Sequence, residues 1–433
     1  MRIRNIDAFQ IFDSRGNPTV EAVVTLESGV RGQGLVPSGA STGRSEALEL
    51  RDGVVDRFRG RSVFRAIENI RREIAAALVG WDVTDQAALD RRLLELDGTH
   101  NKSRLGANAI LAVSMAAVRA AAAAQGRSLF DHLGNGTGTF LPLPEIQLFG
   151  GGRHANGRVD VQDFMIVAIG ATTYEQTLEM TFNVFQAARE LLKERGLLAG
   201  VADEGGYWPA FDRNEAVLEA TIEAIVRAGY EPGRQVAISL DIAASDLYRD
   251  GRYRLGLEEK SFSSAAFAEL LASWIDRYPI VSIEDPMSEE DWDGWVLARK
   301  SFGHRVQLIG DDLFTTNLDR IRKGIELGLA NAVLIKLNQI GTVTETLEAI
   351  QATQRAGWLP IISARSGETE DAFIAHLAVA TDAGQLKVGS FCRSERMSKW
   401  NELLRIQREL GARAQFTGSR IYQRILTAPN VDL

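Results

Sequence analysis

The sequence predicts an α/β protein in which a small α+β domain, residues 1–134, precedes a (β/α) barrel with parallel strands, residues 142–433. Two observations carry the prediction. Strand-like runs crowd the first forty residues and helical runs follow them, whereas beyond residue 160 short β-rich runs alternate with helices. In that second region a charged residue ends one β-rich run after another, and in a barrel such ends converge on one mouth.

Ile3 to Phe12, Thr19 to Leu26 and Val30 to Val36 are rich in β-formers and separated by Gly-Asn-Pro and Glu-Ser-Gly turns. Val63, Ile67, Ile70, Ile74 and Leu78 recur at helical spacing, and Ala87 to Leu96 and Ala107 to Ala124 make two more helices. The last is the most apolar stretch of the chain. Alanine dominates it and Asn108, Ser114 and Arg119 interrupt it, so it reads as a buried helix rather than a membrane span. Gly136 to Leu141, followed by Pro142 and Pro144, reads as a linker.

Strands then follow at Phe164 to Ala168, Gln235 to Asp241, Ile280 to Glu284, Gln307 to Gly310, Ala332 to Lys336, Pro360 to Ser363 and Gln385 to Gly389. Helices fill the gaps: Tyr174 to Arg195, Arg213 to Ala228, Ser264 to Arg277, Thr342 to Ala356 and Glu370 to Thr381. A doubly wound open sheet is the alternative. It is disfavoured because no strand leads into a Gly-rich nucleotide loop and the units are too many.

Composition narrows the function. A hydrophobic content of 45% and a charged content of 24% suit a globular protein with a large core. The net charge of −8 argues against a nucleic-acid binder, and the first ten residues have no apolar signal core. Cys392 is the only cysteine, so no intrachain disulfide forms and a reducing cytoplasm is the expected location.

The strand ends hold the chemistry. Asp241, Glu284, Asp311, Lys336 and Arg365 close successive runs, and after Glu284 they lie roughly 25 to 30 residues apart, one strand–helix unit each. Lys387 stands in the last run. Three carboxylates at one mouth would repel one another, and a hard divalent cation such as Mg²⁺ resolves the conflict with oxygen ligands. The absence of His and Cys among them argues against zinc. Cationic neighbours would lower the pKa of a lysine here, and one lysine could then take a carbon-bound proton while the metal stabilises the resulting carboxylate dianion. The stretch IISARSGETED (361–371) ends a strand in Arg365 and Ser366 just before an expected helix start, a good place to hold an anion.

These residues sit in a chain that resembles the enolase family over nearly its whole length. The resemblance rests on DSRGNPTVE (13–21), VPSGASTG (36–43), EALELRDG (46–53), NKSRLGANAILAVSMA (101–116), DEGG (203–206), SIEDP (282–286), GDDL (310–313), IKLNQIGT (335–342), RSGETED (365–371) and CRSER (392–396). It implies an α+β domain before an enolase-type (β/α)8 barrel, two Mg²⁺ per active site, and a homodimer or higher homo-oligomer. It also implies a small phosphorylated or phosphonylated hydroxy acid as substrate, with no nucleic acid and no membrane as partner. By motif, Asp241, Glu284 and Asp311 would bind the first Mg²⁺ and Ser41 would complete the second. Lys336 would be the base and Lys387 would steady the substrate carboxylate. Arg365 and Ser366 would hold the phosphoryl group, His154 would reach the substrate from a closing loop, and Gln162 would also bind the substrate. Glu204, paired with Asp163, would help expel the hydroxyl as water.

The chain also departs from the family pattern. Ala364 stands where a histidine is expected and Asp163 where a glutamate is. Gly150-Gly151-Gly152 replaces an Asn-Gly-Gly turn, Tyr207 and Trp208 replace smaller residues, and Phe9 replaces an arginine linked to the dimer interface. Because the changes gather on the phosphoryl and leaving-group side, the expectation is a specialised paralogue of antibiotic biosynthesis. It would form an enolpyruvate ester of the carboxyphosphonoenolpyruvate type, and Ala364 would make room for its substrate. The alternatives are an ordinary glycolytic enolase acting on 2-phosphoglycerate and a catalytically weak copy used as a binding protein.

Overall fold

Two glycines let a helix and a sheet come together in the N-terminal part of the computed structural model, which describes residues 1–40 and 42–422. Strands Ile3–Phe12, Pro18–Leu26 and Arg31–Leu35 form an antiparallel sheet in that order. The Ala107–Ala124 helix packs across it, and a Cβ on Gly32 or Gly34 would collide with the carbonyl oxygens of Ala116 and Ala112. With 83% of the helix buried, its apolar length is spent on this contact, as expected from the alanine-rich sequence.

Eight strands close the barrel: Leu143–Gly150, Asp163–Val167, Ala237–Asp241, Ile280–Glu284, Gln307–Gly310, Ala332–Ile335, Leu359–Ser363 and Gln385–Gly389. Side-chain caps start several of the outer helices. Thr173 accepts from the Gln176 amide, Ser263 from Ala266, Asp291 from Gly294 and Thr342 from Glu345.

Two features differ from the sequence reading. The first strand starts at Leu143 and so takes in Pro144, which the sequence places with the linker. Pro144 is tolerated because it pairs with Leu386 on the last strand, while pairing to the second strand begins only at Ile146. The second strand, Asp163–Val167, runs antiparallel to both neighbours, so the barrel is not all parallel. Only a short turn, Gly152–Ala155, lies in the connection before it, and without a crossover helix the chain returns in the opposite direction.

The N-terminal part reaches over the barrel mouth. Ser38 and Gly367 exchange backbone hydrogen bonds of 2.8 and 2.9 Å, the Ser14 amide donates to the Glu368 carbonyl at 2.7 Å, and the Ala40 amide donates to Ser366 Oγ at 2.8 Å. The final outer helix expected from Glu370 begins at Phe373 instead. Asp371 turns away to a buried pair with Arg119 and accepts from the Phe373 amide at 2.7 Å, which sets the helix start there.

Candidate active site

Asp241 and Glu284 end the third and fourth strands, and Asp311 follows the fifth by one residue. All three are buried at the mouth. Lys387 sits between the first two: its Nζ donates to Asp241 Oδ2 at 2.8 Å and to both Glu284 oxygens at 2.8 and 2.9 Å, with Asp163 Oδ2 3.7 Å away. Lys336, just past the sixth strand, donates to Asp311, whose other oxygen accepts from Gln339 Nε2 at 2.9 Å. Asp285 takes the backbone amides of Asp311 and Asp312 at 2.9 and 2.8 Å, so the loop that carries Asp311 is tied to the neighbouring strand end.

The electrostatics reverse one expectation. Burial alone would strip the protons from both lysines. Asp311 and Glu284 outweigh it at Lys336, and Asp241, Glu284, Asp163 and Glu204 outweigh it at Lys387, so both ammonium groups are held above their ordinary range. The lowered lysine pKa expected from cationic neighbours is therefore absent, because carboxylates outnumber cations at the mouth. Burial followed by Asp241 pushes Glu284 well up, whereas at Asp311 burial is overcome by Lys336 and the carboxyl is held low.

The anion side is built across the two parts of the chain. Arg365 is buried, and its Nη1 and Nη2 each lie 3.1 Å from an oxygen of Glu46, with Nη1 also 2.8 Å from Asn338 Oδ1. Ser366 faces Ala40, as described above. Arg396 lies fully buried beneath the loop and donates to the carbonyls of Arg365 and Ser366 at 2.7 Å and of Val388 at 2.9 Å. The CRSER motif thus turns an arginine inward to hold this loop.

On the third side His154 stands between two acids. Its Nδ1 is 3.2 Å from Asp163 Oδ1 and its Nε2 is 3.8 Å from Glu204 Oε1. The expected direct pairing of Asp163 with Glu204 is thus replaced by a bridge through the histidine, with Gln147 donating to the shorter Asp163. Burial lowers the His154 pKa, but Asp163 and Glu204 raise it further, to about 9. Gln162 Nε2 donates to Asp241 Oδ2 at 3.0 Å. Because the second strand is reversed, Gln162 and Asp163 reach the mouth from its start rather than its end.

His154, Gln162, Glu204, Asp241, Lys336, Ala364, Arg365, Ser366 and Lys387 line one narrow cleft with Ser363. Ala364 is buried in its wall and offers only a methyl group. Ser41, expected at a second ion, lies outside the described residues. Buried carboxylate oxygens are the ligands a hard divalent cation takes, and Asp285, Asp311 and Asp312 place ligand atoms within 4.8 Å of one another, whereas Asp241 and Glu284 lie outside that group, joined to each other through Lys387. The sequence reading assigns no part to Glu46, Asn338, Gln339 and Asp285. Asp285 lies one position beyond Glu284, Asn338 and Gln339 lie two and three beyond Lys336, and Glu46 follows no strand-end charge. Gln147 lies in the strand that the sequence hides behind Pro144.

Comparison with known proteins agrees with this architecture. Residues 3–133 match the enolase N-terminal domain and residues 138–425 match the enolase C-terminal TIM barrel domain. The chain is similar to Enolase 1 of Desulfitobacterium hafniense (strain Y51), with 52% identity over 424 residues spanning 97% of each chain. With both domains present in order, and a mouth lined by the acids and lysines described above, the chain belongs to the enolase family and is an enolase-type hydro-lyase.

Proposed function

We propose that this chain acts as an ordinary enolase, removing water from 2-phosphoglycerate to give phosphoenolpyruvate. The observation that carries the reading is the 52% identity with Enolase 1 across 97% of both chains, since so continuous a likeness favours a shared reaction over a retasked one. Asp241, Glu284 and Asp311 would hold Mg²⁺, with Ser41 as a ligand of a second ion. Bound Mg²⁺ supplies the positive charge that stabilises the extra negative charge on the substrate carboxylate.

Lys336 takes the proton from the carbon beside that carboxylate. It can do so only when Asp311 is drawn away from its ammonium, since the ion pair keeps the proton on nitrogen. Lys387 steadies the carboxylate. Arg365, preset by Glu46, and Ser366 receive the phosphoryl group, and Gln162 orients the substrate beside Asp241. Glu204, with His154 and Asp163 behind it, helps expel the C3 hydroxyl as water, the proton coming from the His154 imidazolium through Glu204.

A second reading has the methyl wall at Ala364 in its favour: a phosphonyl-bearing glycerate converted to a carboxyphosphonoenolpyruvate-type ester. The relatives lend it no support. A magnesium-dependent ultraviolet assay on 2-phosphoglycerate, run beside a typical enolase, decides between the two. Turnover comparable to the control is expected. Trace turnover in the Mg²⁺-bound protein, restored by Ala364→His with Asp163→Glu, would overturn the ordinary reading.

A further inference from the structure

Below the mouth lies a second polar layer that the reaction does not use. Side chains two positions apart on a strand share a face, so Ser239, Ser282 and Gln385 point into the barrel beneath Asp241, Glu284 and Lys387. Glu145, on the first strand, completes the layer. It is fully buried and stands in register with Lys387 on the adjacent strand. Its Oε1 accepts from Gln385 Nε2 at 2.7 Å and its Oε2 from Ser239 Oγ at 3.2 Å, and Ser239 is in turn bonded by Ser282 at 2.6 Å. Gln385 Nε2 also donates to Gln307 Oε1 at 3.0 Å, and the Tyr422 hydroxyl, 3.3 Å from the same nitrogen, closes the layer from below.

Both hydrogen bonds to Glu145 come from neutral donors. The charged and titratable groups that face it are Lys387 from the last strand, Asp241 from the third and Tyr422 from below. Lys387 spends its hydrogen bonds on Asp241 and Glu284. Those are the two carboxylates that a divalent cation would claim. A buried acid placed one layer below an ammonium that is about to lose its partners is the arrangement of a held-back counter-charge.

We propose that Glu145 is a positioning residue that acts through Lys387. When a divalent cation takes Asp241 and Glu284, the Glu145 carboxyl gives its proton to solvent and the resulting carboxylate holds the ammonium in place from beneath. The Glu145 O–H bond is the one that breaks, and Lys387 keeps all three of its protons. Burial raises Glu145 to about 7, with Lys387 pulling the other way, so the acid is poised to ionise on a modest change in field. The inference rests on the cation site proposed above.

Calorimetric titration of the full chain with Mg²⁺ at neutral pH, in buffers of different ionisation heat, counts the protons released. Glu145→Gln keeps the size and the hydrogen-bonding atoms but cannot ionise. Wild type should release up to about one proton more than the variant. Its Mg²⁺ affinity should climb with pH across neutrality by up to about tenfold per unit more steeply, while the two proteins bind alike in mild acid. Equal proton release and equal pH slopes in a folded variant would overturn the proposal. Should the variant not fold, the infrared difference spectrum of wild type on Mg²⁺ addition answers instead: a protonated-carboxyl band should disappear, and its persistence would count against Glu145. The absence of any Mg²⁺ binding heat would refute the cation site itself, a different failure.

Discussion

Lys336 is held by a group it must later leave. Its ammonium donates to Asp311, and that pair keeps the nitrogen protonated in the metal-free site. Replacing it with alanine removes both the base and the competing charge. Lys336→Ala should lower turnover of 2-phosphoglycerate by about 10²–10⁴-fold, while calorimetry should show Mg²⁺ binding retained or strengthened. Position along the chain was enough to single out Lys336, Asp241, Glu284 and Asp311, because each closes an apolar run and those after Glu284 fall at unit spacing. Position could not tell which neighbour would dominate the lysine. Sequence shows the charges, but their balance depends on Lys387 leaning towards Asp241 and Glu284 and on Asp311 turning to Lys336.

At the scale of elements, the alternation of β-rich and helical runs was legible because seven of the eight barrel strands are short apolar runs bounded by polar helices. The eighth was masked by Pro144, which demotes a strand on sequence grounds yet is tolerated here because pairing to the second strand begins only at Ile146. Strand direction was not legible, since apolar content is the same read either way. The reversal follows from the absence of a helix between Gly150 and Asp163. The phosphate-side loop depends on a different element, the Ser394–Leu410 helix, through Arg396. Arg396→Met would take a buried donor from the carbonyls of Arg365, Ser366 and Val388, of which Ser366 keeps the Ser14 hydroxyl at 3.2 Å. A loss of about 3 kcal/mol in stability is expected, read as a lower melting temperature, together with a rise in KM that exceeds the fall in kcat.

At the scale of the molecule, the histidine bridge ties stability to pH. In the metal-free protein His154 is raised from its ordinary 6.5 to about 9 by Asp163 and Glu204 against the effect of burial. A histidine raised on folding stabilises fully below its unfolded pKa, and that contribution is lost as pH climbs through the folded value. Thermal melting should therefore show wild type more stable than His154→Gln below about pH 6.5, with the gap closing as pH rises through about 9.

The roof over the mouth also has a consequence in time. Ser14 and Glu368, which bond across the two parts of the chain, are 354 positions apart. Synthesis at about 5–20 residues per second puts roughly 20 to 70 seconds between their appearances. During that interval the sheet and its alanine-rich helix are complete, but Arg365 has not yet been made to meet Glu46. A nascent or interrupted chain that stops before Arg365 thus has no grip on a phosphoryl group. The ribosome delivers the chemistry only after Arg365 has emerged, and a chain cut short of it stays silent.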